Sequence, residues 1–256
     1  MTSPTPSSTQ KPVAIVTGAS SGIGLAIAHR LAAEGYNLAI CARRAQPLSK
    51  AAESLRRQDV DVLSQTVDLR DEAQILSFFA AVGQRWGRLD ALINNAGLGH
   101  KESLMSGKTE AWREMFEVNV LALCICTREA ISLMQTGAEP DTGHILHISS
   151  LSGHRVPEIT GVYSATKFAV RSLTETLRRE LRAANSHIRV TAVSPGIVET
   201  DFAEKYHQSA AKAQDTYAQF PVLQAADVAS AVAYALSQPV HVEINDILIR
   251  PTQQKS

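Results

Sequence analysis

Residues 13–35 read VAIVTGASSGIGLAIAHRLAAEG. Four apolar residues, Val13–Val16, run into TGASSGIG, and a helix pattern starts at once behind it. A short apolar run bounded by a glycine turn reads as a buried strand, here Val13–Thr17. Leu25–Glu34 carries a helical pattern, and Gly35 stands where a helix terminus favours glycine. Between the two elements lie Gly18, Gly22 and Gly24. In a strand–turn–helix the first glycine permits the tight turn, the second lets a ligand approach the backbone, and the third lets the helix pack close to the strand. The helix N-terminus then presents unpaired N–H groups and the positive end of a dipole, while Ser20 and Ser21, flanking the turn before Ile23, add hydroxyl donors. A diphosphate suits such a cradle, so the turn predicts a dinucleotide site.

The same alternation continues to the end of the chain. Strands are predicted at Asn37–Ala42, Val60–Val67, Leu89–Ile93, His144–Ile148, Ile188–Val193 and Ile244–Ile249. Helices are predicted at Gln46–Gln58, Asp71–Trp86, Thr109–Met134, Val162–Ala184 and Asp227–Leu236, the second of these begun by an N-terminal aspartate. Strands alternating with helices imply a parallel sheet covered on both faces. No linker-like stretch divides it, so one doubly wound α/β domain is expected over residues 12–256. The misfit is Glu199–Gln224, which is polar and aromatic with no clear strand. It follows the carboxyl end of a strand, where open α/β sheets bind ligands. It reads either as a mobile lid over the site or as a plain surface excursion.

The chain has 256 residues, 45% of them apolar, and a formal net charge of zero. That balance argues against a broad nucleic-acid or anionic-membrane surface. No apolar stretch is long enough to span a membrane. The first eleven residues, MTSPTPSSTQK, lack the apolar segment of a secretory signal and read as a disordered tail. Cys41, Cys124 and Cys126 have apolar neighbours and no regular spacing, so they are expected to be buried thiols in a reducing compartment, with no metal and a cytoplasmic location.

The end of the second strand bears on the choice of dinucleotide. An NAD site usually places an acid there to hold the ribose 2′-hydroxyl. Here Ala42 stands in that place, followed by Arg43 and Arg44. Two guanidiniums can pair with a 2′-phosphate, which favours NADP(H); the alternative is a pair of solvated loop arginines. Further on, Tyr163 and Lys167 lie four apart in YSATK on a helix, and so share a face. A lysine beside a phenol lowers the phenol's pKa from its ordinary ~10 and suits it to general acid–base work.

TGASSGIG, NNAG at 94–97, Asn119, Ser150, YSATK at 163–167 and PGIVET at 195–200 together resemble the short-chain dehydrogenase/reductase family, in order from about residue 12 onward. The resemblance implies a seven-stranded Rossmann-type sheet of order 3-2-1-4-5-6-7 and a nicotinamide cofactor. It implies a catalytic tetrad of Asn119, Ser150, Tyr163 and Lys167, the serine being thirteen residues before the tyrosine. Tyr163 would supply the proton, Ser150 a stabilising hydrogen bond, Lys167 a hold on the nicotinamide ribose, and Asn119 a water in a proton relay. Asp68, with Leu69, would contact the adenine end. Asn95, Ala96 and Gly97 would line the adenosine-ribose side, and Pro195, Gly196, Val198 and Thr200 the nicotinamide pocket. A homotetramer, or a homodimer, is implied, with the helices at 109–134 and 162–184 as interface.

Family members of the acyl-carrier-protein branch end in a glycine-rich segment, whereas this chain ends HVEINDILIRPTQQ before its last two residues. That ending resembles NADP-dependent dehydrogenases of 3-hydroxy acids, serine included, and related aldehyde reductases. Arg155 is then a candidate partner for a substrate carboxylate, unless it faces solvent; a lysine such as Lys205 is another. Phe202, Tyr206, Tyr217 and Phe220 would instead favour a larger apolar ketone. A non-catalytic NADP-binding module is the remaining reading, and the intact tetrad argues against it.

Overall fold

The computed structural model describes residues 10–136, 141–157 and 161–255. The expected tail falls almost wholly outside them, at residues 1–9. In chain order the elements are β1 (Val13–Thr17), α1 (Gly22–Ala33), β2 (Asn37–Ala42), α2 (Ala45–Arg56), β3 (Val62–Thr66), α3 (Glu72–Trp86), β4 (Ala91–Asn94) and α4 (Thr109–Phe116). Then come a π-helical turn (Glu117–Leu121), α5 (Ala122–Thr136), β5 (His144–Ile148), a 3₁₀ turn (Leu151–Gly153), α6 (Gly161–Ala183) and β6 (Arg189–Pro195). The last part holds β7 (Val198–Glu199), α7 (Asp201–His207), α8 (Ala210–Ala218), β8 (Leu223–Gln224), α9 (Ala225–Leu236) and β9 (Asp246–Ile249).

Seven strands form one parallel sheet of order β3-β2-β1-β4-β5-β6-β9, which matches the expected order with β9 as the seventh strand. Every residue of β1 is buried, because both faces of the sheet are covered. Ala14 and Val16 point to one core with Ile27, Leu31, Leu55 and Val232, beneath α1, α2 and α9. Val13 and Ile15, one residue out of phase, point to the other with Ile75, Phe78, Met134 and Leu177, beneath α3, α5 and α6. Alternation along one strand thus feeds two helical layers.

Local chemistry sets the ends of the elements. Asp71 caps α3, its carboxylate accepting from Ala73 N at 3.0 Å and Gln74 N at 3.4 Å. Asp71→Ala is expected to lower stability by about 1 kcal/mol, read by denaturant unfolding. Cys41 and Cys126 are buried as expected, but Cys124 is only half-buried, since two steps along α5 turn it away from the core; all three are free thiols.

Residues 109–134 are helical as expected, with a π turn at Glu117–Leu121 around Asn119 between α4 and α5. One reading is corrected: Glu199–Gln224 is not free of strands. Its root is a two-residue parallel ladder, Val198 opposite Leu223 and Glu199 opposite Gln224, with α7 and α8 between. Strands of two residues carry no periodicity that a sequence can show. Hydroxyl caps start both helices, Thr200 accepting from Phe202 N at 3.3 Å and Ser209 from Lys212 N at 3.3 Å.

Candidate active site

The site opens where the sheet order reverses between β1 and β4, which is where doubly wound sheets leave a crevice. The ends of these strands are latched together. Thr17 Oγ1 accepts from Asn95 N at 3.1 Å and from Ala96 N at 3.0 Å, and Asn95 Nδ2 donates to Thr17 O at 2.8 Å. The glycine turn fits against that latch. A Cβ on Gly18 would lie 2.9 Å from Ala96 Cα, and one on Gly24 would lie 2.6 Å from Gly18 O. Gly18 and Gly22 also hold left-handed backbone, with φ of 67° and 57°. Ser21, at the N-cap of α1, makes no side-chain capping bond, so the first N–H groups of that helix stay open to a ligand.

A cleft of about 320 Å³ begins there. Gly18, Ser20, Ser21, Gly22, Ile23 and Gly24 line one side, Arg43, Arg44, Asp68 and Leu69 its far end, and Asn95, Ala96, Gly97 and Thr200 the other side. The residues present therefore fit a dinucleotide diphosphate and its adenosine end. Among the described residues, no group of three His, Cys, Asp or Glu side chains is placed to hold a metal ion.

The cation pair at the far end is not idle. Arg43 donates to Glu114 Oε1 at 3.0 Å, and Arg44 lies 3.9 Å from Asp201. Glu114 also bonds His100 Nε2 at 2.8 Å and lies 3.5 Å from Arg70. Burial works to raise the Glu114 carboxyl, but the bonds from His100 and Arg43 outweigh it and hold it below the usual range. Arg70 likewise holds the Asp68 carboxyl low. Arg43 is half exposed, so its pairing with Glu114 is weak and a ligand phosphate can displace it.

A second cavity of about 340 Å³ adjoins the first and shares Ile23, Asn95, Gly97, Thr200 and Phe202 with it. Ser150, Tyr163, Lys167, Pro195, Gly196 and Val198 all line it. Tyr163 sits in a small cluster with Met115 and Val162, against Phe202 of α7. Its ring centroid is 5.5 Å from that of Phe202 and 6.2 Å from that of Tyr206. Gly99 makes the close packing possible, since a Cβ there would lie 2.9 Å from both α7 rings. Lys167 Nζ donates to Ile148 O at 3.0 Å and stands 5.8 Å from the Tyr163 ring centroid.

Burial pushes the Tyr163 phenol up to about 12, against a hydrogen bond with Ser150 that works to lower it. The same burial draws the Lys167 ammonium down to about 8. The expectation that Lys167 depresses Tyr163 is thus reversed in the protein alone. Both groups are buried, and desolvation, which sequence spacing does not report, dominates.

Asn119 does not reach either cavity. Its Oδ1 accepts from Leu98 N at 2.9 Å, and its Nδ2 donates to Leu98 O at 2.8 Å and to Thr166 Oγ1 at 3.0 Å. Thr166 in turn donates to Tyr163 O at 2.7 Å. Asn119 therefore pins the strand-four loop to α6 from a π turn, a geometry frequent at functional sites. A Cβ on Gly97 would fall 3.4 Å from Asn119 Oδ1 and 3.5 Å from Lys167 Nζ, so Gly97 keeps the space between them open. Arg155 is exposed after the 3₁₀ turn and lines neither cavity. Lys205 lines the first cleft, not the second. Gln254, His207 and Glu114 carry no signal in the sequence; only the fold brings them to the site.

A family profile described as short chain dehydrogenase matches residues 12–211. The chain belongs to the short-chain dehydrogenase family. The bovine "Dehydrogenase/reductase SDR family member 11" is 49% identical to it over 247 residues, covering 94% of this chain and 96% of that protein. Among solved structures, a closed form of serine dehydrogenase complexed with NADP+ superposes with a TM-score of 0.88 at 31% identity, covering 95% and 96% of the two chains. A short chain dehydrogenase/reductase from Burkholderia phymatum in complex with NAD superposes with a TM-score of 0.85 at 27% identity, covering 93% and 89%. This short-chain dehydrogenase is therefore an oxidoreductase of a nicotinamide dinucleotide, and no described helix is long and apolar enough to cross a membrane.

Proposed function

We propose that this short-chain dehydrogenase is an NADP(H)-dependent oxidoreductase that interconverts a carbonyl and a secondary alcohol, with Tyr163 as the general acid or base. The observation that carries the reading is the buried Tyr163 phenol, which shares with Ser150 and Lys167 a cavity that opens into the glycine-turn cleft. The bound nicotinamide supplies or takes a hydride at the carbonyl carbon. Tyr163 hands a proton to the developing alkoxide, and the Ser150 hydroxyl donates a second bond to the same oxygen. Lys167 holds the ribose and supports the phenolate form of Tyr163, while Asn119 positions the loop beneath them. Loss of water from the pocket strengthens each of these interactions.

Arg43 and Arg44 at the far end of the cleft, with no acid at position 42, support NADP(H) over NAD(H). Arg43→Ala is expected to raise the KM for NADPH about 10- to 100-fold, the worth of a charge-assisted bond, and to leave that for NADH nearly unchanged. Glu114→Gln, which removes the competing carboxylate, is expected to lower the NADPH value a few-fold. Equal effects on the two cofactors would count against the assignment.

The second cavity supports an apolar or aromatic ketone as substrate. Phe202, Tyr206 and Tyr217 line it, and Lys167 is its only Lys or Arg among the described residues. The second reading is a small hydroxy acid, favoured by the likeness to serine dehydrogenase; it would need Arg155 to swing inward. Residues 199–224 act as a lid in either case, since α7 places its rings directly on Tyr163. Partly exposed Phe116, Leu121, Phe168 and Leu248 support a homodimer or homotetramer built on α4–α5, α6 and β9. The direct test follows absorbance of NADPH and NADH against aldehydes, aryl ketones and 3-oxo acids. Tight NADPH binding with no turnover on any of them would favour a non-catalytic binding module.

A further inference from the structure

The carboxyl-terminal tail closes over the nicotinamide end of the site. Gly196 N donates to Ile249 O at 2.7 Å, and Ile197 N donates to Gln254 Oε1 at 2.9 Å. Gln254 N bonds back to Pro251 O at 3.0 Å, which pins the tail. A Cβ on Gly196 would lie 2.3 Å from Gln254 Oε1, so the glycine is what admits this side chain. The Ile197 peptide is held from its other side as well, its carbonyl accepting from Leu223 N at 3.1 Å at the root of the lid. Gln254 is 8% exposed, yet it lines the second cavity together with Ser150, Tyr163 and Tyr217.

The orientation of the amide follows from its partner. An N–H from Ile197 requires an acceptor, so the oxygen of Gln254 faces the backbone and the nitrogen cannot. That nitrogen has no partner among the described residues. A buried amide that bonds through one end and leaves two donors at a cavity wall is poised for an acceptor on a ligand.

We propose that Gln254 is a specificity-determining residue, its amide N–H donating to a second oxygen of the carbonyl substrate, remote from the carbonyl that Tyr163 protonates. The substrate class is a ketone that also carries a ketone, ester or ether oxygen. This rests on the carbonyl oxidoreductase reading. A site built to donate a hydrogen bond rejects an analogue that lacks the acceptor, because its polar group is then left unpaired.

The test uses matched ligands on the full chain loaded with NADP+. Meta- and para-diacetylbenzene carry the second oxygen; meta- and para-isopropylacetophenone have nearly the same shape without it. Affinities come from calorimetry, and reduction with NADPH is followed separately. Gln254→Glu keeps an oxygen for Ile197 N and removes the amide donors, while Gln254→Met removes both. The wild-type protein is expected to bind one diacetyl isomer at least tenfold more tightly than its isopropyl match, and both variants to lose that ratio. Comparing ratios across variants cancels the intrinsic electronic difference between the ligands. Equal affinities in the wild type, binding of neither ligand, or a ratio preserved in both variants would overturn the proposal, as would a uniform loss on both ligands. Binding with the expected preference but no NADPH oxidation would strike the carbonyl oxidoreductase reading and reduce Gln254 to a hydrogen-bond donor for bound ligands.

Discussion

Tyr163→Phe is expected to lower turnover about a thousandfold, within the range that one positioned proton donor contributes, while NADPH affinity changes little. The substitution removes one oxygen. The ring still fills its place against Phe202 and Tyr206, so the pocket keeps its shape. Ser150 loses a partner, but it is only half-buried and water can replace the phenol. Stability is thus expected to stay within about 1 kcal/mol of the wild type, the net scale of one hydrogen bond. Single-turnover NADPH oxidation at saturating substrate and fluorescence titration of the cofactor separate the two effects. A loss below tenfold would mean that the proton comes from elsewhere. The pH profile gives an independent check. With its phenol near 12, Tyr163 stays protonated as a donor throughout the neutral range. Lys167 loses its proton as pH passes about 8, and with it the positive charge that assists proton release. Reductive kcat/KM is accordingly expected to hold level below that point and decline above it. Oxidation, which needs the phenolate, should rise with pH.

What can be read from the chain is what the chain keeps together. The glycine turn and its flanking strand and helix lie within residues 13–35, and a contiguous code of that kind needs no tertiary information. Tyr163 and Lys167 are legible because a helix converts a spacing of four into one face. The seven strands of the main sheet are legible as short apolar runs. What escapes depends on approach through space. Arg43 meets Glu114 across 71 residues of sequence. Gln254 reaches Ile197 from the far end of the chain, and nothing in PTQQ marks which glutamine turns inward. The π turn at Asn119 differs from a continuous helix by a single hydrogen-bond step, which apolar periodicity does not resolve. The sign of the Tyr163 shift is hidden for the same kind of reason. Spacing reports that a cation is near but not that both groups are buried, and in this pocket desolvation outweighs proximity.

The larger structural effect is expected from Gly24→Ala, which adds a single methyl carbon. That Cβ would lie 2.4 Å from Asn95 Nδ2, 2.6 Å from Gly18 O and 3.0 Å from Gly18 C. A side chain can move aside, but the Gly18 carbonyl belongs to the turn itself. Asn95 is no freer, because its amide donates to Thr17 O and so ties β4 to β1. Relief therefore requires α1 to lift from β1, which widens the turn and carries the open N–H groups of the helix away from the diphosphate position. Overpacking of this kind costs about 1–3 kcal/mol, and occasionally more. Cofactor affinity should fall further still, on the order of a hundredfold, since every N–H of the cradle moves together and each charge-assisted bond contributes about 1.5–3 kcal/mol. Gly35→Ala separates this from a general dislike of replacing glycine. Gly35 has a φ of 87° and nothing within 4 Å of where an added methyl would sit, so only backbone strain of about 1–2 kcal/mol opposes the change. Both variants should melt earlier in thermal unfolding, but only Gly24→Ala should lose NADPH in a fluorescence titration. Parallel losses of cofactor binding in the two would place the effect in global stability and remove the turn's special role.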